Sequence, residues 1–332
     1  MKKIGLAAIA MTFAVSAMAA NFRAADQVYV PAAGKIGSFA SDLYVSNPNA
    51  FPVTVSVIYS ASPNGVQTNF PNLFTLAAGE RREFIDFMGT AQPNGLGLSG
   101  ALGQLVFNGC KQGTDCGVAT QDPVTGVSPN FADITVESRI YSTASNGGTT
   151  GQLFYGEPWY NYASQDQQNN GLDSVFIVGL RQSAATSGAG TFRSNVGLVN
   201  ASQFSTTTMV VRAFSGTGTK CGSDFTITLG PLGHTQPSFS QMFPGCNGTF
   251  WVTVNQQNST ATGDSPSSCG TSGCAGFFAY GSVLDNLTND ATTLEAQYTK
   301  SLTLAQIACL YPSPDQTVTC KSIPKMRHAV RH

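Results

Sequence analysis

Asp26-Gln27-Val28-Tyr29-Val30 is written again as Asp173-Ser174-Val175-Phe176-Ile177, and this second copy decides the fold. Further along, Ser38-Phe39-Ala40-Ser41-Asp42-Leu43-Tyr44-Val45-Ser46-Asn47 returns as Thr191-Phe192-Arg193-Ser194-Asn195-Val196-Gly197-Leu198-Val199-Asn200. So long a spacing means two copies of one domain, since solenoid repeats have much shorter periods. Copy one spans 26–158 and copy two 172–300, joined by a linker over 159–171. Other segments correspond in the same order. Val53 to Tyr59 matches Thr207 to Ala213, Leu105-Val106-Phe107-Asn108 matches Val252-Thr253-Val254-Asn255, and Ile134, Val136 and Ile140 match Phe277, Ala279 and Val283.

The matching segments are short, β-branched or aromatic, and alternate with polar residues at the period-two spacing of half-buried strands. Asn-Pro, Pro-Asn-Gly and Gly-rich turns separate them. No sustained 3.6-residue apolar period runs through the core. The pattern predicts an all-β protein: two tandem immunoglobulin-like or jelly-roll-like antiparallel β-sandwiches related by internal duplication, with six to eight strands in each.

The ends carry different information. Lys2 and Lys3, the apolar stretch Ile4 to Val15 and the small-x-small pattern Ala17-Met18-Ala19 read as a cleaved signal peptide over 1–19. The expected destination is the periplasm, the cell surface or the medium, with no transmembrane segment. Beyond Lys300 the repeat is exhausted. The tail 301–332 holds a cysteine pair and a basic end, Lys321, Lys325, Arg327, His328, Arg331 and His332. It reads as a solvated terminus or sorting extension, or alternatively as a contact for anionic envelope material.

Only 11% of residues are charged, about half the usual share. Without Lys2 and Lys3, 15 basic residues face 18 acidic ones, a formal net charge near −3. That balance speaks against a nucleic-acid partner, which would need a basic face. Eight cysteines in an exported chain imply disulfides. Nearest-neighbour pairing gives Cys110–Cys116, Cys221–Cys246, Cys269–Cys274 and Cys309–Cys320, the first and third at equivalent places in the two copies. A metal site is the rival reading, but the spacings are not C-x-x-C and no histidine lies near.

Leu43-Tyr44-Val45-Ser46-Asn47-Pro48 and Gly197-Leu198-Val199-Asn200-Ala201 share a strand-x-Asn phrase. Together with Ser41 to Val45 and Arg193 to Leu198, it resembles a loose class of duplicated, secreted immunoglobulin-like sandwich proteins of Gram-negative bacteria. The resemblance covers both copies and implies architecture and export; it transfers no catalytic residue.

Motifs for chemistry are sparse. Gly95-Leu96-Gly97-Leu98-Ser99-Gly100 matches a dinucleotide fingerprint by letters but precedes a strand, not a helix, and reads as a loop. Gly263-Asp264-Ser265-Pro266 lacks a histidine partner and donors after the serine, and reads as a turn. Glu80, Glu83 and Asp86 cluster, but Glu80-Arg81-Arg82-Glu83 is more simply a neutralised hairpin end. Asp285, Asn286, Asn289 and Asp290 could offer oxygens to calcium, or form an Asn/Asp turn. Trp159, Tyr160 and Tyr162 are the candidate ligand-binding aromatics, able to stack on a sugar or pack between the sandwiches. No cofactor is expected.

The reading is therefore a non-enzymatic exported structural or adhesion protein, an envelope scaffold or fibre-forming module. Its partners would be other copies of itself or envelope components. The alternative is a carbohydrate- or peptide-binding module at the aromatic junction, with glycan as partner. More remote is a hydrolase using Glu80, Glu83 and Asp86, or Glu137.

Overall fold

A computed structural model describes residues 24–63, 65–114, 130–143, 147–158, 173–202, 206–259 and 276–300. The signal segment, the linker with Trp159, Tyr160 and Tyr162, the tail, Gly263 to Pro266, and Cys116, Cys269, Cys274, Cys309 and Cys320 lie outside the described residues.

The chain is all-β. In the first copy the strands are β1 (Gln27–Lys35), β2 (Phe39–Ser46), β3 (Val53–Ala61), β4 (Val66–Leu76) and β5 (Arg81–Phe84). They continue as β6 (Ala101–Lys111), β7 (Thr135–Thr143), β8 (Thr149–Tyr155) and β9 (Glu157–Pro158). The second copy holds β10 (Asp173–Gln182), β11 (Phe192–Asn200), β12 (Thr207–Ser215), β13 (Lys220–Leu229) and β14 (His234–Thr235). A single helical turn, α1 (Phe239–Met242), precedes β15 (Gly248–Ser259), β16 (Phe277–Asp285), β17 (Ala291–Glu295) and β18 (Gln297–Lys300). Nine described strands per copy exceed the expected six to eight, because two-residue strands such as β9 and β14 are too short to show any period.

Each copy folds into two antiparallel sheets. The first has orders β4-β3-β6-β1-β9 and β5-β2-β7-β8; the second has β13-β12-β15-β10-β18 and β14-β11-β16-β17. Adding nine to every strand number of the first copy yields the second. Register agrees as well: Tyr29 faces Val106 where Phe176 faces Thr253, and Tyr59 faces Leu105 where Ala213 faces Val252. Each sandwich closes on its own apolar cluster, one around Leu43, Val57, Phe87 and Phe107, the other around Leu198, Val211, Phe239 and Val254.

Polar residues that recur in the two copies have matching jobs. Ser41 Oγ accepts from the Gly34 N–H and donates to its carbonyl, at 2.7 and 3.0 Å; Ser194 does the same with Arg181, at 2.9 and 2.7 Å. Each serine ties its strand, β2 or β11, to β1 or β10 just past that strand's register irregularity. The asparagine of the strand-x-Asn phrase is a buried staple. Asn47 Nδ2 donates to the carbonyls of Phe51 and Ala77, both at 2.8 Å, and its Oδ1 accepts from the Asn49 N–H. Asn200 Nδ2 donates to Gly230 at 2.8 Å, and its Oδ1 accepts from the Ser202 N–H at 3.0 Å. Replacing either asparagine with alanine strands these buried backbone groups, so Asn47→Ala and Asn200→Ala should each cost about 2–3 kcal/mol in urea unfolding. Near-additive losses in the double variant would show two independent staples.

Cys221–Cys246 forms as expected, tying β13 to the segment after α1 across 25 residues of sequence. Cys110 is also disulfide-bonded. Because Cys246 is buried in the second core, replacing Cys221 and Cys246 together with serine should remove about 3 kcal/mol, read as a lowered melting temperature.

Candidate functional site

Alternation predicts strands with one wet face, yet β1 is buried from Gln27 to Gly34 and β16 from Phe277 to Val283. Both faces of these strands are covered because the two sandwiches pack on each other. The outer face of β1, β3 and β6 presents Tyr29, Val106 and, partly buried, Ile58; the second sandwich answers with Val199, Leu232, Phe278 and Tyr280. Tyr29 packs on Phe278 with ring centroids 5.4 Å apart, and Phe154 meets Tyr280 edge-on at 5.1 Å.

Hydrogen bonds fix the orientation of this seam. Ser60 Oγ donates to the Leu232 carbonyl at 2.7 Å and Ser62 Oγ to that of His234 at 2.6 Å. Gln104 Nε2 donates to the Asn200 carbonyl at 3.0 Å, and Gln152 Nε2 to Ser282 Oγ at 2.7 Å. Thr293 Oγ1 donates to the Leu153 carbonyl at 2.8 Å.

His234 sits at the seam's buried edge, 0% exposed. Its Nε2 lies 2.8 Å from the Tyr280 hydroxyl, and its Nδ1 is buried with no hydrogen-bond partner among the described residues. Desolvation alone lowers the imidazole from 6.5 to about 4, and burial raises the Tyr280 phenol well above its ordinary value. The sequence marks His234 only as the lone histidine between the signal and the tail; its position became meaningful once β14 was seen beside β11, with His234 opposite Val199.

A cleft of about 140 Å³ opens beside the seam, walled by Phe154, Tyr155, Phe278 and Tyr280, with Glu157 and Glu295 among its lining residues. The Tyr155 phenol is raised by burial and then by the charges of Glu137 and Glu295. These aromatics line the contact between the sandwiches; Trp159, Tyr160 and Tyr162, the aromatics proposed from sequence, lie outside the described residues. The lining aromatics escaped notice because Phe278 and Tyr280 read as ordinary strand residues.

The remaining candidates are dispersed. Glu80 accepts from the Ala77 N–H at 2.6 Å and pairs with Arg82 at 2.5 Å; the backbone hydrogen bond chiefly lowers its pKa. Asp86 pairs instead with Lys35 at 2.5 Å. Glu83 lies opposite Tyr44, and Tyr44 lies opposite Glu137, whose carboxyl is raised by burial. Separate ion pairs thus hold Glu80 and Asp86.

Asp285 Oδ1 accepts from the N–H groups of Leu287 and Thr288 at 2.7 and 3.0 Å. Arg193 donates through Nη1 to Asn286 Oδ1 and through Nη2 to Asn289 Oδ1, both at 3.0 Å. Two oxygens proposed for calcium are therefore already engaged by a guanidinium, and Asp290 Oδ1 accepts from the Ala291 N–H at 3.1 Å. The Gly95 to Gly100 stretch is a loop whose Leu96 and Leu98 N–H groups donate to Phe87 and Met88.

No family model and no curated protein matches the chain. Among solved structures, a cryo-EM structure of Broad Bean Stain Virus is similar at 12% identity and a TM-score of 0.23, over 84% of this chain and 90% of that one. A crystal structure of a Bacteroides uniformis beta-glucuronidase is similar at 13% identity and a TM-score of 0.17, over 79% of this chain and 24% of that one.

Proposed function

We propose that this chain is a non-enzymatic, exported structural or adhesion protein acting in the periplasm or at the cell surface. The observation that carries this reading is the seam: two duplicated sandwiches held to each other by an apolar contact and by buried hydrogen bonds, as in a load-carrying element and without a catalytic constellation beside it among the described residues. Ser, Thr, Asn and Gln on the exposed strand faces, with few charges, suit contact with neutral envelope material. Among the described residues, no helix is long and apolar enough to cross a membrane. Fractionating producing cells and testing protease accessibility on intact cells checks the proposal. Recovery of the protein with envelope or surface material supports it; confinement to the cytoplasm overturns it.

The cleft favours a second reading, a site for a small glycan or peptide group held against Tyr155 between Glu157 and Glu295. Glu295→Gln should weaken retention on the cognate polysaccharide without shifting the unfolding midpoint. Unchanged retention on every tested polysaccharide and peptide would remove this reading.

A further inference from the structure

The seam joins two kinds of surface: the outer face of the five-stranded sheet of sandwich one and the outer face of the four-stranded sheet of sandwich two. Duplication makes one more of each. On sandwich two, Phe176, Thr253 and Arg212 stand in register where Tyr29, Val106 and Ile58 stand on sandwich one. The next row there is Val178, Trp251 and Phe214, with Trp251 stacked on Phe214 at 4.5 Å. On sandwich one, Glu83, Tyr44 and Glu137 form a row across β5, β2 and β7, with Tyr141 and Arg139 nearby in cation–π contact at 4.8 Å.

These second faces are half-exposed, whereas their seam counterparts are buried. Val178 is 48% exposed and Phe176 is partly exposed, against 1% for Tyr29 and 0% for Val106. Tyr44, Glu137 and Tyr141 are likewise only partly buried. Their composition is more polar than the seam's at matched positions: Arg212, paired with Asp224 at 2.8 Å on its own face, stands where Ile58 does, and Glu137 stands where Tyr280 does. A contact of this composition is weaker and more reversible than the seam.

We propose that the five-stranded face of sandwich two, around Phe176, Val178 and Trp251, docks on the four-stranded face of sandwich one, around Tyr44 and Tyr141, of a second copy of this chain. The geometry of the seam is then repeated between molecules. The two surfaces differ, so the contact is heterologous, and a repeated heterologous contact that does not close into a ring builds an open filament. This deepens the structural reading by naming its partner. A strictly monomeric protein that still fractionates with the envelope would remove the assembly and leave that reading in place.

Sedimentation and light scattering of the purified chain over a range of concentrations test it, with electron microscopy of the largest species. The weight-average mass should rise with concentration without a plateau. Trp251→Glu and Tyr44→Glu should each abolish species above the monomer, and an equimolar mixture should form heterodimers and nothing larger, since each variant keeps one intact face. Val178→Glu serves in place of Trp251→Glu if the latter fails to fold. A wild-type monomer at every concentration, assembly unaffected by both substitutions, or continued growth of the mixture overturns the proposal. So does a monomer whose binding to a polysaccharide is lost in Tyr44→Glu, which would make this face a glycan platform.

Discussion

Lowering the pH from 7 to 4 should cost the folded chain about 3 kcal/mol through His234 alone. In the unfolded state the imidazole titrates near 6.5, and in the seam it is lowered to about 4. Over that interval the unfolded state binds the extra proton and the folded state does not, so stability falls as pH falls. The full contribution is present above 6.5 and is lost progressively down to about 4, at about 1.4 kcal/mol per unit.

The physical cause is that, among the described residues, His234 Nδ1 meets no acceptor and Nε2 meets the Tyr280 hydroxyl, so an imidazolium would be poorly solvated. Glu137, raised by burial, works in the opposite direction, gaining stability as it protonates in the fold. Asp224, Asp285 and Glu80 are lowered and lose their contributions only as the medium becomes more acidic than their ordinary range. Urea midpoints between pH 7 and 4.5 should show the loss. His234→Gln keeps a partner for Tyr280 and should flatten the profile there. An unchanged slope in that variant would assign the effect elsewhere.

Phe278→Ala is the substitution expected to cost most, about 3–5 kcal/mol, through a cavity at the middle of the seam. Phe278 is 1% exposed and packs on Tyr29 from the other sandwich. The expected signature is more than a lowered midpoint. In the native chain the sandwiches are expected to unfold together because each buries surface only the other can cover. With the seam hollowed, calorimetry should resolve two transitions, and the calorimetric and van't Hoff enthalpies should diverge. A single transition, shifted but still two-state, would mean that the hydrogen bonds of Ser60, Ser62 and Gln104 suffice to hold the units together.

Much of the architecture could be read without coordinates because strand signals are local. Val53 to Tyr59 alternates cleanly, and the structure buries Val53, Val55 and Val57 while leaving Thr54, Ser56 and Ile58 partly exposed on the other face. The correspondence of Leu105 with Val252 and of Tyr59 with Ala213 predicts register because paired strands constrain one another. The strand-x-Asn phrase was visible, but the destination of its amide was not, since Asn47 reaches carbonyls 30 residues away. The calcium reading failed to anticipate Arg193 for the same reason: the guanidinium comes from 93 residues earlier in the chain. Trp159, Tyr160 and Tyr162 stand out because they are clustered in sequence, whereas Tyr29, Phe154, Phe278 and Tyr280 are clustered only in space.

Period-two patterning, turn residues and repetition determined two antiparallel sandwiches of the same design, since each of those signals acts between near neighbours or between matching strands. What became of the outer faces was settled by tertiary structure. The twin surfaces carry similar alternations, and nothing local distinguishes Val106, sealed in the seam, from Thr253, half-exposed at the equivalent place. That difference arises from which face meets which, a contact between segments more than a hundred residues apart.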